Sequence, residues 1–202
     1  MLQNLVGSST SGMPTGEQQR DASIRRIRQM TPQAIEEMMM DIHGTRFGTL
    51  KFREEELITL AQGMMGFPNS KRYLMFPYSE DSSFFWLQSV DEPEIAFIVI
   101  NPFDFFAELE FLIEDADSAA IGLEKGEDLE VFTLLTIPDG KPEEMRTNLA
   151  GPVVVNVSNR QGRQVVVKEY SARQPLIPME MRSNYREQAR GKRFVKQMVA
   201  VS

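Results

Sequence analysis

Apolar and polar positions follow two rhythms along this chain, and the change falls near residue 44. Upstream, Ile35, Met38, Met39 and Ile42 recur at helical spacing. Thr31 supplies an N-cap ahead of Pro32 at a first helical position, and Gly44 supplies a stop. These signals predict a helix in two pieces over residues 24–42. Residues 1–23 are rich in Ser, Gly, Thr and Gln and have little to bury, so they read as disordered.

From residue 45 the period becomes two. Arg46–Phe52, Tyr73–Tyr78, Phe84–Ser89 and Ala96–Ile100 read as strands. Residues 128–137 form a further β-rich run, and 152–157 and 163–167 flank a hairpin turn at 159–162. Residues 111–113 carry strand character, and 115–121 suit a turn or two of helix. Glu54–Glu56 suits a solvated turn, Gly63–Asn69 a loop, and Asp91–Glu94 a tight turn. Short strands at roughly ten-residue spacing, without strand–helix alternation, predict a mainly β fold. The expected architecture is a small antiparallel β-barrel-like domain with short helices. It would occupy residues 45–178, between an N-terminal extension (1–44, disordered then helical) and a basic helical extension (179–202).

Charge is distributed unevenly along the chain. Residues 42–167 carry 10 basic and 21 acidic side chains, whereas residues 168–202 carry 8 and 3. The net charge of −7 argues against a body that grips nucleic acid. An acidic body suits a partner with a basic face, or a basic tail that folds back on it. In the tail Arg182, Arg186, Arg190 and Arg193 form a stripe at helical spacing. That stripe suits a solvated face, docking on an acidic surface, or a weak RNA contact.

Little in the chain suggests catalysis. Cysteine is absent and the one histidine, His43, stands beside Gly44, where a charge at a helix end accounts for it. A tetrahedral zinc site is not expected without further ligands. Gly122–Gly126 lacks the Lys-Ser/Thr ending of a phosphate loop, and the acidic residues lack calcium-loop spacing. No enzyme activity, metal or cofactor is expected. The first residues have neither a basic segment nor an apolar run of roughly 7–15 residues, and no window reaches about 18 apolar residues. The expectation is a soluble cytoplasmic protein with no membrane partner.

The order of several short pieces is more specific than any one of them. They are Phe47-Gly48, Gly63-Met64-Met65-Gly66-Phe67, Phe84–Ser89, Ile95–Pro102, Thr136-Ile137-Pro138, Thr147–Asn156, Gly162–Val167 and Arg173–Leu176. In this order and spacing the chain resembles the flagellar assembly factor FliW family from roughly residue 45 to 178. The resemblance implies a small, mostly β, barrel-like fold and a regulatory role. Members of this family bind CsrA, an mRNA-binding translational repressor, and relieve its repression of flagellin synthesis. They also bind flagellin, which removes them from CsrA, so the complexes are exclusive. No direct nucleic-acid contact is expected.

An acidic body would be drawn to the basic RNA-binding surface of a CsrA-type protein, which steers association more than it sets affinity. Affinity needs an apolar centre, for which Pro102, Phe103, Phe105 and Phe106 are candidates; the same phenylalanines would also serve as core. Asn148, beside Leu149 and ahead of the Gly151-Pro152 turn, suits either backbone support or a polar partner contact, and Asn156 is similar. Trp86 fits the core and Gly66 an unusual backbone angle. Two other classes stay open: a β-barrel RNA-binding module using the tail arginines, and a small-ligand-binding barrel. Salt-sensitive RNA affinity would mark the first and a ligand-induced thermal shift the second.

Overall fold

A computed structural model describes residues 38–80, 82–124 and 128–184 of the chain. In chain order its strands are β1 (Met40–Thr45), β2 (Gly48–Phe52), β3 (Leu57–Leu60), β4 (Arg72–Pro77), β5 (Phe84–Ser89) and β6 (Ala96–Ile100). A short helix, α1 (Asp115–Ala120), precedes β7 (Leu129–Thr136), β8 (Arg146–Thr147), β9 (Val153–Asn156), β10 (Gln161–Gln164) and β11 (Gln174–Pro175).

Strands β3 to β7 pair in sequence as an antiparallel meander. Strand β7 also pairs with β9, β9 with β10, and β10 with β3, so the sheet closes on itself. Closure removes the free edges that would otherwise template aggregation. The fold is mainly β and barrel-like, as expected, but the closing pair β10–β3 is parallel. Seven strands form this ring, and an odd number of strands cannot all alternate in direction. At least one neighbouring pair must therefore run parallel. Strands β8 and β11 extend the sheet outward from β7.

Alternate residues of each strand point into and out of the ring. Ile58, Leu60, Tyr73, Leu87, Val99, Phe132, Val153 and Val155 fill the interior, with Met64 among them. Each such side chain stabilises the fold by roughly 1.5–3 kcal/mol on burial. The outward residues of the same strands are also apolar and form three outer clusters. Leu57 and Leu74 pack with Ile42 and Phe52 of the β1–β2 hairpin. Val131, Val154, Val165 and Val167 pack with Ile121, Phe111 and Ile113. Ile100 and Leu135 pack with Met145, Leu176 and Ile177. Runs such as Phe84–Leu87 are apolar on both faces because the wall of the barrel is covered on both sides.

The start of the body corrects the helical reading of residues up to 42. Met40–Thr45 is a strand paired with Gly48–Phe52, and Gly44 and Gly48 lie at φ 79° and 81°. Thr45 holds the turn, its Oγ1 donating to the Gly48 carbonyl (2.6 Å) and accepting from the Phe47 amide (3.1 Å). Burial of Ile42 and Phe52 against the barrel wall outweighs the helical spacing. His43 is thus an exposed strand residue, with Nδ1 3.0 Å from Thr49 Oγ1, and caps no helix. Residues 24–37, where the rest of that helix was expected, lie outside the described residues. Residues 111–113 do not pair as a strand; they cross the outer face of the barrel as irregular backbone.

Several local expectations hold. Glu54–Glu56 is an exposed turn, with Glu56 Oε2 accepting from the Arg53 amide at 2.7 Å. Gly66 sits at φ 88°, and Trp86 is buried, with the Phe47 ring 5.0 Å away and the Arg46 guanidinium 5.2 Å over its face. The β9–β10 turn contains Arg160 at φ 56°, tied down by donation to the Leu57 and Glu56 carbonyls.

Candidate partner-binding surface

Three pieces of sequence meet at the side chain of Gln164, one of them 99 residues away along the chain and another only 13. Its Oε1 accepts a hydrogen bond from the Met65 amide (2.9 Å), and its Nε2 donates to the Gly151 carbonyl (2.9 Å). One buried amide thus joins the Gly63–Phe67 loop, the Asn148–Pro152 turn and the end of β10. Satisfying two buried-side backbone groups with one side chain fixes both loops relative to the sheet. Gly151 must be small: a Cβ there would lie 2.9 Å from Asn148 Nδ2 and 3.1 Å from Gln164 Nε2. Within the loop Met64 turns inward and plugs the barrel, while Met65 and Phe67 remain exposed.

The Pro102–Phe106 segment builds another exposed apolar feature. Asn101 Oδ1 accepts from the Phe103 amide (3.0 Å) and Pro102 is buried, so a single turn of 3-10 helix projects the residues that follow. Phe103 is 44% exposed and Phe105 37% exposed. They diverge. Phe105 stacks on Phe84 (6.2 Å between centroids), whereas Phe103 meets Phe111 edge-on (5.8 Å), and Phe111 meets Tyr170 in turn. Phe105, Phe84, Met145, Leu176, Ile177, Met181 and Asn184 line a groove of about 360 Å³, with no charged side chain among its described lining residues. A second cavity of about 350 Å³ has mixed character, with Asp104, Glu130 and Arg160 beside Phe85 and Phe132.

The candidate residues divide between surface and interior. Phe103 and Phe105 present apolar area to solvent, and Phe106 is half-buried. Leu149 and Asn156 are not surface residues. Asn156 is fully buried, donating to the Ile121 and Gly122 carbonyls (3.3 and 3.1 Å) and accepting from the Ser158 amide (2.9 Å). Its amide anchors the segment after α1 to the hairpin. Asn148 is half-buried, and its Oδ1 has no hydrogen-bond partner among the described residues. Arg182 donates from Nε to the Ile177 carbonyl (3.2 Å) at the rim of the groove. Arg186, Arg190 and Arg193 lie outside the described residues. The lining contributed by Met145, Ile177 and Met181 was not singled out in the sequence as a site; the apolar pair Leu176-Ile177 just before Pro178 is the signal that was available.

Where the β3–β4 and β5–β6 connections meet, carboxylates serve the fold. Burial alone would raise the Asp91 carboxyl, but hydrogen bonds from the Lys71 and Arg72 amides and the Arg72 guanidinium, each 2.8 Å, hold it below the usual range. Ser70 links Glu92, Ser89 and the Tyr73 hydroxyl in the same corner. Burial, with the charges of Glu92 and Asp91 nearby, pushes the Tyr73 phenol up to about 12 despite its bond to the Ser70 carbonyl. No group of three or more metal-ligating side chains occurs among the described residues, and no described helix is long and apolar enough to cross a membrane.

The described body is a closed seven-stranded barrel that carries interlocked surface loops and exposed aromatics. The FliW protein family matches residues 41–176, which is the barrel and its flanking strands. The flagellar assembly factor FliW of Magnetococcus marinus is 70% identical over 151 residues, covering 75% of this chain and 93% of that protein. That of Bacillus subtilis is 36% identical over 140 residues, covering 68% and 96%. A crystal structure of the flagellar assembly factor FliW matches with a TM-score of 0.63 at 28% identity, covering 69% of this chain and 98% of that one. The chain belongs to the FliW family.

Proposed function

We propose that this protein is a cytoplasmic, non-enzymatic flagellar assembly factor that binds CsrA and flagellin in exclusive complexes. Binding CsrA would relieve repression of flagellin synthesis, and free flagellin would withdraw the factor from CsrA. The observation that carries this reading is the family match over residues 41–176, the same residues that build the closed barrel. The surface supports it in two ways. The body is acidic, which favours approach to a basic RNA-binding partner and repels competing phosphates. Phe103 and Phe105, both exposed on one loop, with Phe105 lining a groove whose described residues carry no charge, supply the apolar centre that affinity requires.

The test is size-exclusion chromatography of the full chain with CsrA from the same organism, then with flagellin added. The expected result is a defined complex with CsrA that flagellin dissolves. Absence of a complex with either folded partner at micromolar concentration would overturn the proposal and bring forward the RNA- and ligand-binding readings.

A further inference from the structure

We propose that residues 110–114 form a docking edge to which a basic partner protein adds an extended strand. Residues 109–114 contain neither turn nor bend, and Glu114 is extended at φ −67° and ψ 149°. Burial alternates along them: Leu109, Phe111 and Ile113 are half-buried, whereas Glu110, Leu112 and Glu114 are exposed. That is the period of a strand lying on a surface. Yet no strand of the sheet pairs with it. The amides and carbonyls of Phe111, Leu112 and Ile113 have no hydrogen-bond partner among the described residues. Extended backbone left in this state is what strand addition uses.

Other contacts hold the segment in place of a ladder. The Tyr170 hydroxyl donates to the Glu110 carbonyl (2.7 Å) and accepts from the Glu110 amide (3.3 Å). The Glu114 carbonyl accepts from the Asp117 and Ser118 amides, each at 2.9 Å. Phe111 and Ile113 pack on the cluster of Ile121, Val131 and Val154 beneath them. An edge fixed at both ends loses little freedom when a strand arrives. Leu112, 90% exposed, stands on the outer face between Glu110 and Glu114. The exposed aromatic surface runs up to the segment, since the Phe103 ring lies 5.8 Å from that of Phe111.

Charge selects the occupant. Residues 102–123 hold six acidic side chains and no basic one. Asp117 is paired with Arg163 at 2.8 Å. Asp104, Glu108, Glu110, Glu114 and Asp115 are exposed and make no ion pair with a described residue. A second copy pairing antiparallel about Leu112 would set Glu110 against Glu114, which is repulsive. The complementary strand instead carries Lys or Arg opposite Glu110 and Glu114, and an apolar residue opposite Leu112.

Docking at this edge does not depend on the partners named above. Hydrogen exchange on the full chain tests it, with the acetylated peptide Val-Lys-Val-Leu-Val-Lys-Val as probe. In the free protein the amides of residues 111–113 are expected to exchange within about tenfold of an unstructured chain. Saturating peptide is expected to slow at least one of them by about tenfold or more. The same peptide methylated at every backbone nitrogen keeps the charge but lacks the donors, and should give no protection. Leu112→Arg alters a side chain that is 90% exposed, so the barrel should hold while the protection is lost. Amides that are already slow in the free chain would overturn the proposal, as would an absence of added protection. Equal protection by the methylated peptide would reduce the contact to charge alone and overturn it, and so would protection that survives Leu112→Arg. If the peptide docks as expected but neither CsrA nor flagellin binds, the partner reading fails while this one stands.

Discussion

Gln164 holds Met65 in place: its Oε1 accepts the Met65 amide at 2.9 Å across 99 residues of sequence, while its Nε2 reaches the Gly151 carbonyl. Replacing Gln164 by Ala leaves both backbone groups without this partner. Gln164→Ala is expected to cost about 1–3 kcal/mol, read from urea unfolding. Gln164→Glu would keep the acceptor and lose the donor, so it should recover only part of that loss. Equal stability for Gln164→Ala and the parent would mean that the two loops are held by other contacts.

The two glycines of the neighbouring loop have different reasons to be glycine. Gly63 sits at φ 72°, and a Cβ there would lie 2.7 Å from the Phe67 and Pro68 carbonyl oxygens. Gly66 sits at φ 88° with nothing within 4 Å of such a Cβ. Gly66→Ala is expected to cost about 1–2 kcal/mol from backbone strain alone. Gly63→Ala adds a clash with backbone and should cost clearly more. Thermal unfolding of the two variants side by side would refute this account if their order were reversed.

Asn156 separates a structural role from a contact role. Its amide donates to the Ile121 and Gly122 carbonyls and accepts from the Ser158 amide. Asn156→Ala is expected to destabilise the fold by about 2 kcal/mol or more and to leave partner affinity unchanged at temperatures where the variant is folded. Calorimetric titration together with a melting curve distinguishes the two. Lost affinity at unchanged stability would return Asn156 to the binding surface.

Acid sensitivity should trace in part to Asp91. Its folded-state carboxyl lies below the ordinary value because the Lys71 and Arg72 donors outweigh burial. A depressed folded value means that the stabilisation is complete above the unfolded value of about 3.9, and fades as pH falls through the lower folded value. Asp91→Asn is expected to lower stability at pH 7 and to flatten the acid limb of the stability profile. An unchanged acid limb in denaturant titrations at several pH values would contradict the assignment.

Much of the barrel could be read from the sequence, because strands such as Phe84–Ser89 and Ala96–Ile100 carry their own signal and Gly66 and Pro102 punctuate the chain where backbone geometry requires it. Met40–Thr45 could not, since Met38, Met39 and Ile42 also fit a helix, and only packing of Ile42 on Leu57 and Leu74 decides between them. Strands of two residues, such as Arg146–Thr147 and Gln174–Pro175, leave no periodicity to read. The candidate site was half legible. Phe103 and Phe105 follow a proline turn and can be picked out, but the groove wall comes from four separate segments, and no local pattern brings Phe84 to Met145 and Leu176. Asn148 and Asn156 look alike in sequence. Only the fold shows that Asn156 is enclosed.

The exposed aromatic loop as partner surface is the centre of this account. Calorimetric titration of the Phe103→Ser/Phe105→Ser double variant against CsrA and against flagellin, beside the parent chain, tests it most directly. Both side chains are more than a third exposed, so the double variant should still fold, with a lower melting temperature from the lost contacts to Phe84 and Phe111, while affinity for at least one partner falls tenfold or more. A folded double variant that binds both partners within twofold of the parent would contradict it.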